Sequence, residues 1–297
     1  MNKIPVSAII VSFNTRELTR KALLSLRRSD AQPAQIIVVD NDSSDDSMQM
    51  IKAEFPEVIL IESKENLGFA KANNLAIKEA ADQPYIWLLN SDAEAGKNTL
   101  GELHEYMRYN NDVGALSPQL VYPDGKLQSF GGFFPSCLNV FLYLLPLSYL
   151  LPKQTKRKLK TLAIYPQLIP ERGIELDYAT GAALFLRKKA LDQVGLLGED
   201  YFMYFEETDL CWRLKKSGWK VMAINTEPVT HVYGGSFKTR RDAKRLGLFL
   251  ESLKIFIQKN YEGWRKYILL LEIKLFGNIS IKIKNLKNYK LKITNSK

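Results

Sequence analysis

Acidic side chains follow three apolar segments of the sequence, at the positions where predicted strands end. Asp40 closes IIVVD, Asp92 follows YIWLLNS, and Glu206, Glu207 and Asp209 lie together in FMYFEETDLCW. Carboxylates contribute little to a core, but they suit a divalent metal, a ribose hydroxyl or a proton transfer. Ligands of open α/β sheets bind outside the carboxyl ends of the strands. The pattern therefore predicts a site for a nucleotide sugar.

Asp40 has two interpretations. Aspartate, asparagine and serine are preferred at helix N-caps, and DNDSSDD precedes a predicted helix. Ser44 and Asp45 lie at a suitable distance for a cap, whereas Asp40 comes several residues earlier. A carboxylate at a strand end can accept a hydrogen bond from a ribose or from a pyrimidine N–H. We therefore favour a ligand contact for Asp40.

Two segments carry candidate metal ligands. Asn90-Ser91-Asp92 suits Mg²⁺ or Mn²⁺, which take few protein ligands, mostly oxygens, and also bind substrate phosphates. The alternative is a turn, in which these residue types are common. His231 is one of two histidines, and a single histidine is more often structural than a ligand. Because the chain also has a candidate carboxylate metal site, a role for His231 as a metal ligand becomes more plausible than for a histidine alone.

The acidic cluster at residues 206–209 also has two interpretations. Acids at a helix start interact favourably with the macrodipole, which is a sufficient reason for one or two of them. However, Tyr204 and Phe205 place aromatic surface beside the cluster. A carboxyl group against such a surface has its pKa raised toward that of a working general base.

Alternating strands and helices are predicted to position these residues. The apolar runs VSAIIVSF, IIVVD, VILIES and YIWLL are separated by the helical stretches TRELTRKALLSLRR, DSSDDSMQMIKAEF and NLGFAKANNLAIKEAAD. This alternation predicts βαβ units and a mostly parallel central sheet flanked by helices. Asn14 and Glu17 have the spacing of a capping box at the first helix.

The pattern changes after Gly114. ALSPQLVYPDGKLQSFGG predicts a hairpin or irregular strands, YATGAALFLRKKAL a strand and a helix, and KVMAINTEPVTHV one strand. From Arg245 onward the apolar period is helical. We predict a catalytic domain over residues 1–237 and a helical, basic C-terminal segment over residues 238–297.

Composition excludes several classes of protein. The chain has 297 residues, of which 46% are hydrophobic and 25% charged, as in ordinary globular proteins. Its two cysteines have no metal-site spacing, and its N-terminus has no signal-peptide pattern, so a cytoplasmic protein is expected. The motifs of Rossmann dehydrogenases, P-loop NTPases and α/β-hydrolases do not occur.

The net charge of +10 is concentrated in three places, at KQTKRKLK (153–160), at KTRRDAKR (238–245) and from Lys274 onward. Nucleic acid is a competing explanation, but no common recognition module is present, so no nucleic-acid partner is expected. Residues 127–160 combine an uncharged, aromatic-rich run with the first basic patch. This insertion is typical of a segment at an anionic membrane surface, and a buried hairpin or a homodimer contact is the alternative.

Seven motifs occur together in one order: VSFN, VVDNDSSD, NLGFAKANN, LLNSDAE, YATGAALFLRKKAL, FMYFEETDLCWRLKKSGW and HVYGGS. Over about residues 4–237 the chain resembles family 2 glycosyltransferases of GT-A fold, especially a bacterial rhamnosyltransferase-like branch. The resemblance implies a nucleotide pocket lined by Ser12, Phe13 and Asn14. It implies further donor contacts from Asp40, Gly68, Lys71, Asn73, Asn90 and Ser91.

The resemblance also assigns residues to metal binding, to general-base catalysis and to the acceptor side of the site. Asp92 corresponds to the metal ligand of a DxD-type signature, whose first aspartate is Asn90 here, and His231 to a second contact. Glu207 corresponds to the general base, which is usually an aspartate in this family. Because the longer side chain changes its reach, Glu206 and Asp209 stay as alternatives. Gly181 would border the acceptor.

The implied reaction is inverting, metal-dependent transfer of rhamnose or a similar sugar, with Mg²⁺ or Mn²⁺ as cofactor. The donor would be a dTDP- or UDP-linked sugar, and the acceptor a saccharide that is lipid-linked, in synthesis of a cell-surface polysaccharide. The protein would act peripherally on the inner face of the cell membrane. One alternative is a sugar-phosphate nucleotidyltransferase, but such an enzyme would have a Gly-rich basic loop after the first strand, and VSFNTRE is not such a loop. The other alternative is a nucleotide-sugar-binding protein without catalysis.

Overall fold

The computed structural model describes residues 2–80, 82–145, 152, 154–155, 160–164, 166–232 and 242–294. Helices and strands alternate through most of these ranges. The helices are α1 (Arg16–Arg28), α2 (Ser47–Glu54), α3 (Gly68–Glu79), α4 (Thr99–Tyr109), α5 (Cys137–Leu144), α6 (Lys188–Val194), α7 (Glu206–Lys216), α8 (Asp242–Asn260) and α9 (Gly263–Thr294). The strands are β1 (Asn2–Ser12), β2 (Ala31–Asp40), β3 (Ile59–Glu62), β4 (Tyr85–Leu89), β5 (Ala93–Glu94), β6 (Val113–Ser117), β7 (Leu120–Val121), β8 (Gly131–Gly132), β9 (Ile174–Glu175), β10 (Tyr178–Ala179), β11 (Ala183–Arg187), β12 (Lys220–Ala223) and β13 (Val229–His231).

The central sheet has eight strands in the order β3-β2-β1-β4-β11-β6-β12-β9. The first four are parallel to one another, β11 is antiparallel to β4 and to β6, and β9 is antiparallel to β12. Six of the eight strands therefore run in one direction, which confirms the predicted mostly parallel sheet. Two small sheets, β10-β8 and β5-β13-β7, lie outside it.

Apolar runs form the parallel strands because both faces of the sheet are covered. In β1, the consecutive residues from Val6 to Ile10 are fully buried, and all five residues of β4 are buried. Successive side chains of a strand point to opposite faces, so burial without alternation requires layers on both sides. Helix α3 contacts β1 and β2, α4 contacts β2 and β6, and α7 contacts β6 and β12.

Two local predictions are wrong. The first turn of α1 has no side-chain cap, because the Asn14 side chain accepts hydrogen bonds from Ser44 instead and Glu17 pairs with Arg20. KVMAINTEPVTHV forms two strands rather than one: β12 joins the central sheet, and β13 joins β5 and β7. The predicted turn at residues 122–126 is present, with a bridge between Val121 and Leu127 across it.

Helices α8 and α9 pack onto the rest of the molecule through a second hydrophobic cluster. It joins Val140 and Leu144 of α5 and Phe205 to Leu253 and Phe256 of α8. Of the apolar residues in the insertion, Leu144 is buried, Phe134 stacks edge-on against Trp212, and Phe141 against Phe276. Leu144 is therefore covered by protein and Phe134 and Phe141 are covered in part, whereas Leu138 and Tyr143 are exposed. Lys153, Lys156, Arg157 and Lys158 lie outside the described residues, as does the predicted domain boundary at residue 237.

Candidate functional site

The carboxyl edge of the central sheet brings most of the predicted residues together. Ser12 and Asp40 end adjacent strands and are register partners. Leu89 ends β4, and the Asn90 amide that follows it donates to the carbonyl of Ala182 at the start of β11. The ends of β1, β2 and β4 and the start of β11 therefore lie at the same edge of the sheet, as expected for an open α/β sheet.

Hydroxyl groups tie two of the loops at this edge to each other. The Ser12 hydroxyl lies 2.9 Å from that of Thr19, and the Thr15 hydroxyl donates to that of Ser91 at 3.0 Å. All four side chains are buried. Ser12 and Ser91 therefore position the loop after β1 against the loop after β4, while Phe13 is partly exposed and Asn14 is exposed beside them.

Asp40 is fully buried, and its two carboxylate oxygens have different surroundings. Oδ2 accepts a hydrogen bond of 2.9 Å from the amide of Ser43, whereas Oδ1 has no hydrogen-bond partner among the described residues. A buried acceptor without a partner costs about 1–3 kcal/mol. Asp42 and Asp46, in the loop that follows, have positive φ angles of 70° and 58°. An uncompensated oxygen beside a strained loop is the pattern of a ligand site.

Three residues that are predicted to contact the sugar donor lie in the first half of α3, and their surroundings differ. Gly68 has φ +78°, and a Cβ there would lie 2.8 Å from the carbonyl oxygen of Phe202, so the close backbone approach in this structure is to Phe202. The Asn73 side chain is buried and donates to the Phe69 carbonyl at 2.9 Å. Lys71 is exposed, so its ammonium group is accessible to an anionic ligand.

Asp92 and His231 converge although 139 positions separate them in sequence. The antiparallel pairing of β13 with β5 places His231 opposite Ala93, and His231 Nε2 lies 3.2 Å from Asp92 Oδ1. Asn90 Nδ2 is 3.5 Å from the same ring nitrogen. Both Asp92 and His231 are buried.

Gln128 determines which nitrogen of His231 faces Asp92. Its Nε2 donates to the carbonyl of His231, so its Oε1 is the atom that lies 3.0 Å from His231 Nδ1. Nδ1 donates to that oxygen, so Nε2 is the nitrogen that faces Asp92, either as a hydrogen-bond partner of the carboxylate or as a metal ligand beside it. Among the described residues no three His, Cys, Asp or Glu side chains cluster.

Glu206 and Glu207 begin α7 as a pair of interacting carboxyl groups. Burial raises the pKa of Glu206 well above its ordinary value, and the neighbouring charge of Glu207 raises it further. Burial also raises the pKa of Glu207, to about 7, against hydrogen bonds from the backbone and from Glu206 that lower it. Glu206 is thus the protonated donor of the pair near neutral pH, and Glu207 is the carboxylate closer to its ionised form.

The chain enters α7 through two residues in the left-handed region. Tyr204 and Phe205 have φ angles of 68° and 69°, a conformation that costs about 1–3 kcal/mol for each residue other than glycine. Phe249 of α8 packs against both rings, at centroid distances of 6.0 and 5.2 Å, and Phe256 lies 5.4 Å from Phe205. Aromatic packing from α8 therefore holds the strained turn that orients Glu207.

Asp209 is surrounded by donors that connect three elements. Its Oδ2 accepts from Arg213 at 3.0 Å, and its Oδ1 from the Tyr201 hydroxyl and from Asn260 of α8. Arg213 also donates to the carbonyls of residues 194–196 at the end of α6. Asp209 is fully buried in this network, which gives it a structural surrounding unlike that of Glu207.

A cavity of about 660 Å³ opens beside Glu207. Among the described residues its ionisable or cationic lining groups include Glu207, His231 and Arg245. Its apolar and aromatic walls come from α5, from residues 161–164 and from α8, and include Leu142, Tyr143, Leu162, Leu246 and Phe249. Gly181 is adjacent to Thr180, which lines the cavity, and a Cβ at Gly181 would lie 3.2 Å from the Phe69 ring. The predicted base thus faces a largely apolar space.

Sequence reasoning missed three residues of this site. Gln128 lies 103 positions from His231, and Arg245 and Phe249 belong to a segment that was predicted to follow the catalytic domain. Each is placed by packing between distant elements, and no local motif marks any of them. The absence of charge over residues 127–152 was a weak signal, because an uncharged run must be covered by something.

Comparisons with known proteins identify the family of the chain. Residues 7–195 match the family described as "Glycosyl transferase family 2". The chain is 29% identical over 268 residues to the "N-acetylglucosaminyl-diphospho-decaprenol L-rhamnosyltransferase" of Mycobacterium tuberculosis, a match that covers 86% of this chain and 85% of the relative.

Two solved structures share the fold. A mannosyltransferase from Pyrobaculum calidifontis, in complex with GDP-Man and Mn²⁺, superimposes with a TM-score of 0.57 at 15% identity and covers 95% of this chain and 73% of its own. GalNAc-T7 with UDP, GalNAc and Mn²⁺ gives a TM-score of 0.60 at 14% identity, covering 84% of this chain and 47% of its own. At these identities the likeness concerns the fold alone.

Proposed function

Because the chain belongs to glycosyltransferase family 2 and is a glycosyltransferase with a GT-A fold, we propose that it transfers rhamnose or a similar sugar, with inversion, to a lipid-linked saccharide. One observation carries the proposal. Glu207, a carboxyl group whose pKa burial raises to about 7, lines the same cavity as His231, which lies 3.2 Å from Asp92. The candidate base and the candidate diphosphate site therefore lie at the same cavity.

The donor is a dTDP- or UDP-linked sugar in this proposal. Asp40 Oδ1, which has no hydrogen-bond partner among the described residues, would accept a hydrogen bond from the ribose or the base. Lys71 is exposed on α3, and its charge would attract the diphosphate. Solved structures of this fold contain GDP-Man or UDP, which supports a nucleoside diphosphate here.

Asp92 and His231 would hold a divalent cation, Mg²⁺ or Mn²⁺, with the donor diphosphate completing its ligands. The support is the position of His231 Nε2, which lies 3.2 Å from Asp92 Oδ1 while Gln128 contacts the other ring nitrogen, together with the Mn²⁺ of structures that share the fold. Bound there, the cation would stabilise the charge of the departing nucleoside diphosphate.

Glu207 acts as the general base in the proposed reaction. It takes the proton of the acceptor hydroxyl as that oxygen attacks the anomeric carbon from the side opposite the diphosphate. Glu206 donates a hydrogen bond to Glu207 and so holds the carboxylate in place. Asp209, the alternative base, keeps α7, α6 and α8 in register through Arg213 and Asn260.

The acceptor is a saccharide joined to a lipid through a diphosphate. Apolar walls suit the first carbons of a lipid chain, and Arg245 supplies a guanidinium group on the wall of the same cavity as the base. The rhamnosyltransferase of M. tuberculosis has such an acceptor in its name. The role in synthesis of a surface polysaccharide, on the inner face of a membrane, follows from this acceptor as part of the proposal.

A thermal-shift screen tests the donor side of the proposal. We expect dTDP- or UDP-sugars to stabilise the protein, and Mn²⁺ to increase that stabilisation. Asp92→Ala should abolish the increase, whereas Asp30→Ala, which removes an exposed carboxylate at the end of β2 opposite Asp40, should preserve it. Unchanged metal dependence in Asp92→Ala would place the metal elsewhere. Acceptor-independent release of nucleoside diphosphate separates an enzyme from a binding protein.

A further inference from the structure

Helix α9 carries apolar side chains on two opposite faces. On one face, Leu269 is fully buried, and Ile273 and Phe276 pack against the cluster formed with α5 and α8. The other face is exposed, although it is also apolar. We call this face the exposed stripe, and it consists of Trp264, Tyr267, Ile268, Leu271, Leu275 and Ile279.

The exposed stripe is continuous along the helix. At about 100° per residue, its six positions fall within roughly 120° of the helix circumference, opposite Leu269 and Ile273. Four of its side chains are strongly exposed: Trp264 by 65%, Tyr267 by 74%, Leu271 by 51% and Leu275 by 53%. A row of large apolar side chains in water marks an interaction surface, because packing inside the molecule already occupies the other face.

Charge identifies the partner. From Gly263 to Lys297 the sequence contains nine Lys or Arg residues and one acidic residue, Glu272. This one segment therefore carries most of the net charge of +10. A second copy of the chain would bring an equal positive charge against it, which is unfavourable, whereas an anionic lipid surface would complement it.

We propose that the exposed stripe of α9 lies in the interface of an anionic lipid bilayer, with its apolar side chains among the acyl chains, and that the net positive charge of residues 263–297 attracts the anionic headgroups. Among the described residues no helix is long and apolar enough to cross a membrane, so α9 lies along the surface. This location is separate from residues 133–145, whose apolar side chains α8 and α9 cover in part.

The inference rests on the proposed function in one respect only: membrane binding would give the enzyme access to a lipid-linked acceptor. Helix α9 packs directly on α5 and α8, and both of these helices line the cavity beside Glu207. A bilayer against α9 would therefore lie near the apolar wall of the cavity. No residue of the exposed stripe lines that cavity.

Vesicle flotation tests the inference with the full chain. We expect binding to vesicles of phosphatidylcholine with phosphatidylglycerol, and roughly tenfold weaker binding to pure phosphatidylcholine. Replacing Trp264, Tyr267, Leu271 and Leu275 by Ser should reduce binding to the anionic vesicles by at least roughly tenfold. The matched control, Tyr109→Ser with Leu168→Ser, removes side chains that are 73% and 69% exposed elsewhere and should bind like wild type.

A second variant and a second measurement keep the result interpretable. Leu271→Glu alone places one anion in the exposed stripe of an otherwise unchanged helix and should also weaken binding. Transfer to a short-chain, water-soluble acceptor should be unaffected in both variants, so failure of the proposed function would be seen separately. Absence of wild-type binding to anionic vesicles would overturn the inference, as would equal binding by the stripe variants. A dimer that these variants dissociate, without vesicle binding, would show a protein interface instead.

Discussion

At the scale of single residues, Glu206 and Glu207 show how adjacent carboxyl groups acquire different properties. Both are at the start of α7, but Glu206 is buried more deeply and hydrogen bonds to Glu207. Only one of two such groups can readily ionise in a shared apolar site. Of the two, Glu207 lines the cavity, so the group that ionises more readily is the one that faces the proposed acceptor site.

The pH dependence of transfer should report this pair. Since Glu207 acts as a carboxylate and burial raises its pKa to about 7, kcat/KM should increase with pH through about 7 and then level off. The apparent pKa belongs to the pair rather than to one residue. Initial rates between pH 5 and pH 9 measure the profile. An acidic limb near pH 4.5 would mean that the base is a solvated carboxylate elsewhere.

Gln128 is predicted to act through His231. Gln128→Leu keeps a similar volume but removes both hydrogen bonds to His231, so the ring loses its fixed orientation. We expect metal affinity in the presence of nucleoside diphosphate to fall about 10- to 100-fold, the usual effect of losing such a partner. Titration calorimetry with Mn²⁺ measures it. Gln193→Leu, which removes a hydrogen bond to Trp219 at the surface, is the control. Equal affinities in the two variants would contradict the role.

At the scale of elements, α8 contributes to the candidate site although it comes after the motifs. It packs Phe249 and Phe256 onto the left-handed turn before α7, and it contributes Arg245 to the cavity. The strain at Tyr204 and Phe205 is maintained because the surrounding rings leave the turn little room to relax. The predicted division into a catalytic domain and a C-terminal segment remains a prediction about folding units.

Removal of the Phe249 ring tests the support given by α8. Phe249→Ala should lower kcat by about tenfold with little change in donor affinity, because a loosened turn misplaces Glu207. Phe276→Ala is the matched control, since it removes a ring of equal size that contacts Phe141 and not the turn. Steady-state kinetics and thermal unfolding of both variants separate the effects. Equal losses of kcat in the two variants would show general destabilisation only.

At the scale of the whole molecule, local patterns predicted the sheet and its edge. Unbroken apolar runs became strands buried on both faces, and their terminal carboxylates, Asp40 and Asp92, lie at one edge. This succeeded because strand ends and their side chains are adjacent in sequence. The order of the motifs likewise identified the family.

Contacts between distant elements could not be predicted in the same way. The bond between Gln128 and His231 joins positions 103 apart, and nothing in either segment specifies the other. The uncharged run after Leu127 was expected at a membrane surface, with a buried hairpin or a dimer contact as the alternative, because sequence shows that a segment is apolar but not what covers it. In the structure α8 and α9 cover part of its described residues, Leu138 and Tyr143 are exposed, and a further exposed apolar face lies on α9.

The buried carboxyl pair should also affect the stability of the molecule. A carboxyl group whose folded pKa is raised binds more protons when folded than when unfolded. Its contribution therefore decreases as pH rises from about 4.5 through 7, since the charge must then be buried. Glu206→Gln removes the ionisation and should stabilise the protein at pH 8 more than at pH 5. Urea unfolding at both values measures this, and an equal change at both would contradict the raised pKa.

The most direct test of the account compares Glu207→Gln with Glu206→Gln in transfer and in donor binding. Glu207→Gln should leave donor affinity within a few-fold and reduce transfer by roughly 10² to 10⁴, the usual effect of losing a positioned base. Glu206→Gln resembles protonated Glu206, keeps a donor toward Glu207, and should reduce transfer by less than about tenfold. If Glu206→Gln or Asp209→Asn abolishes transfer while Glu207→Gln retains it, Glu207 is not the base.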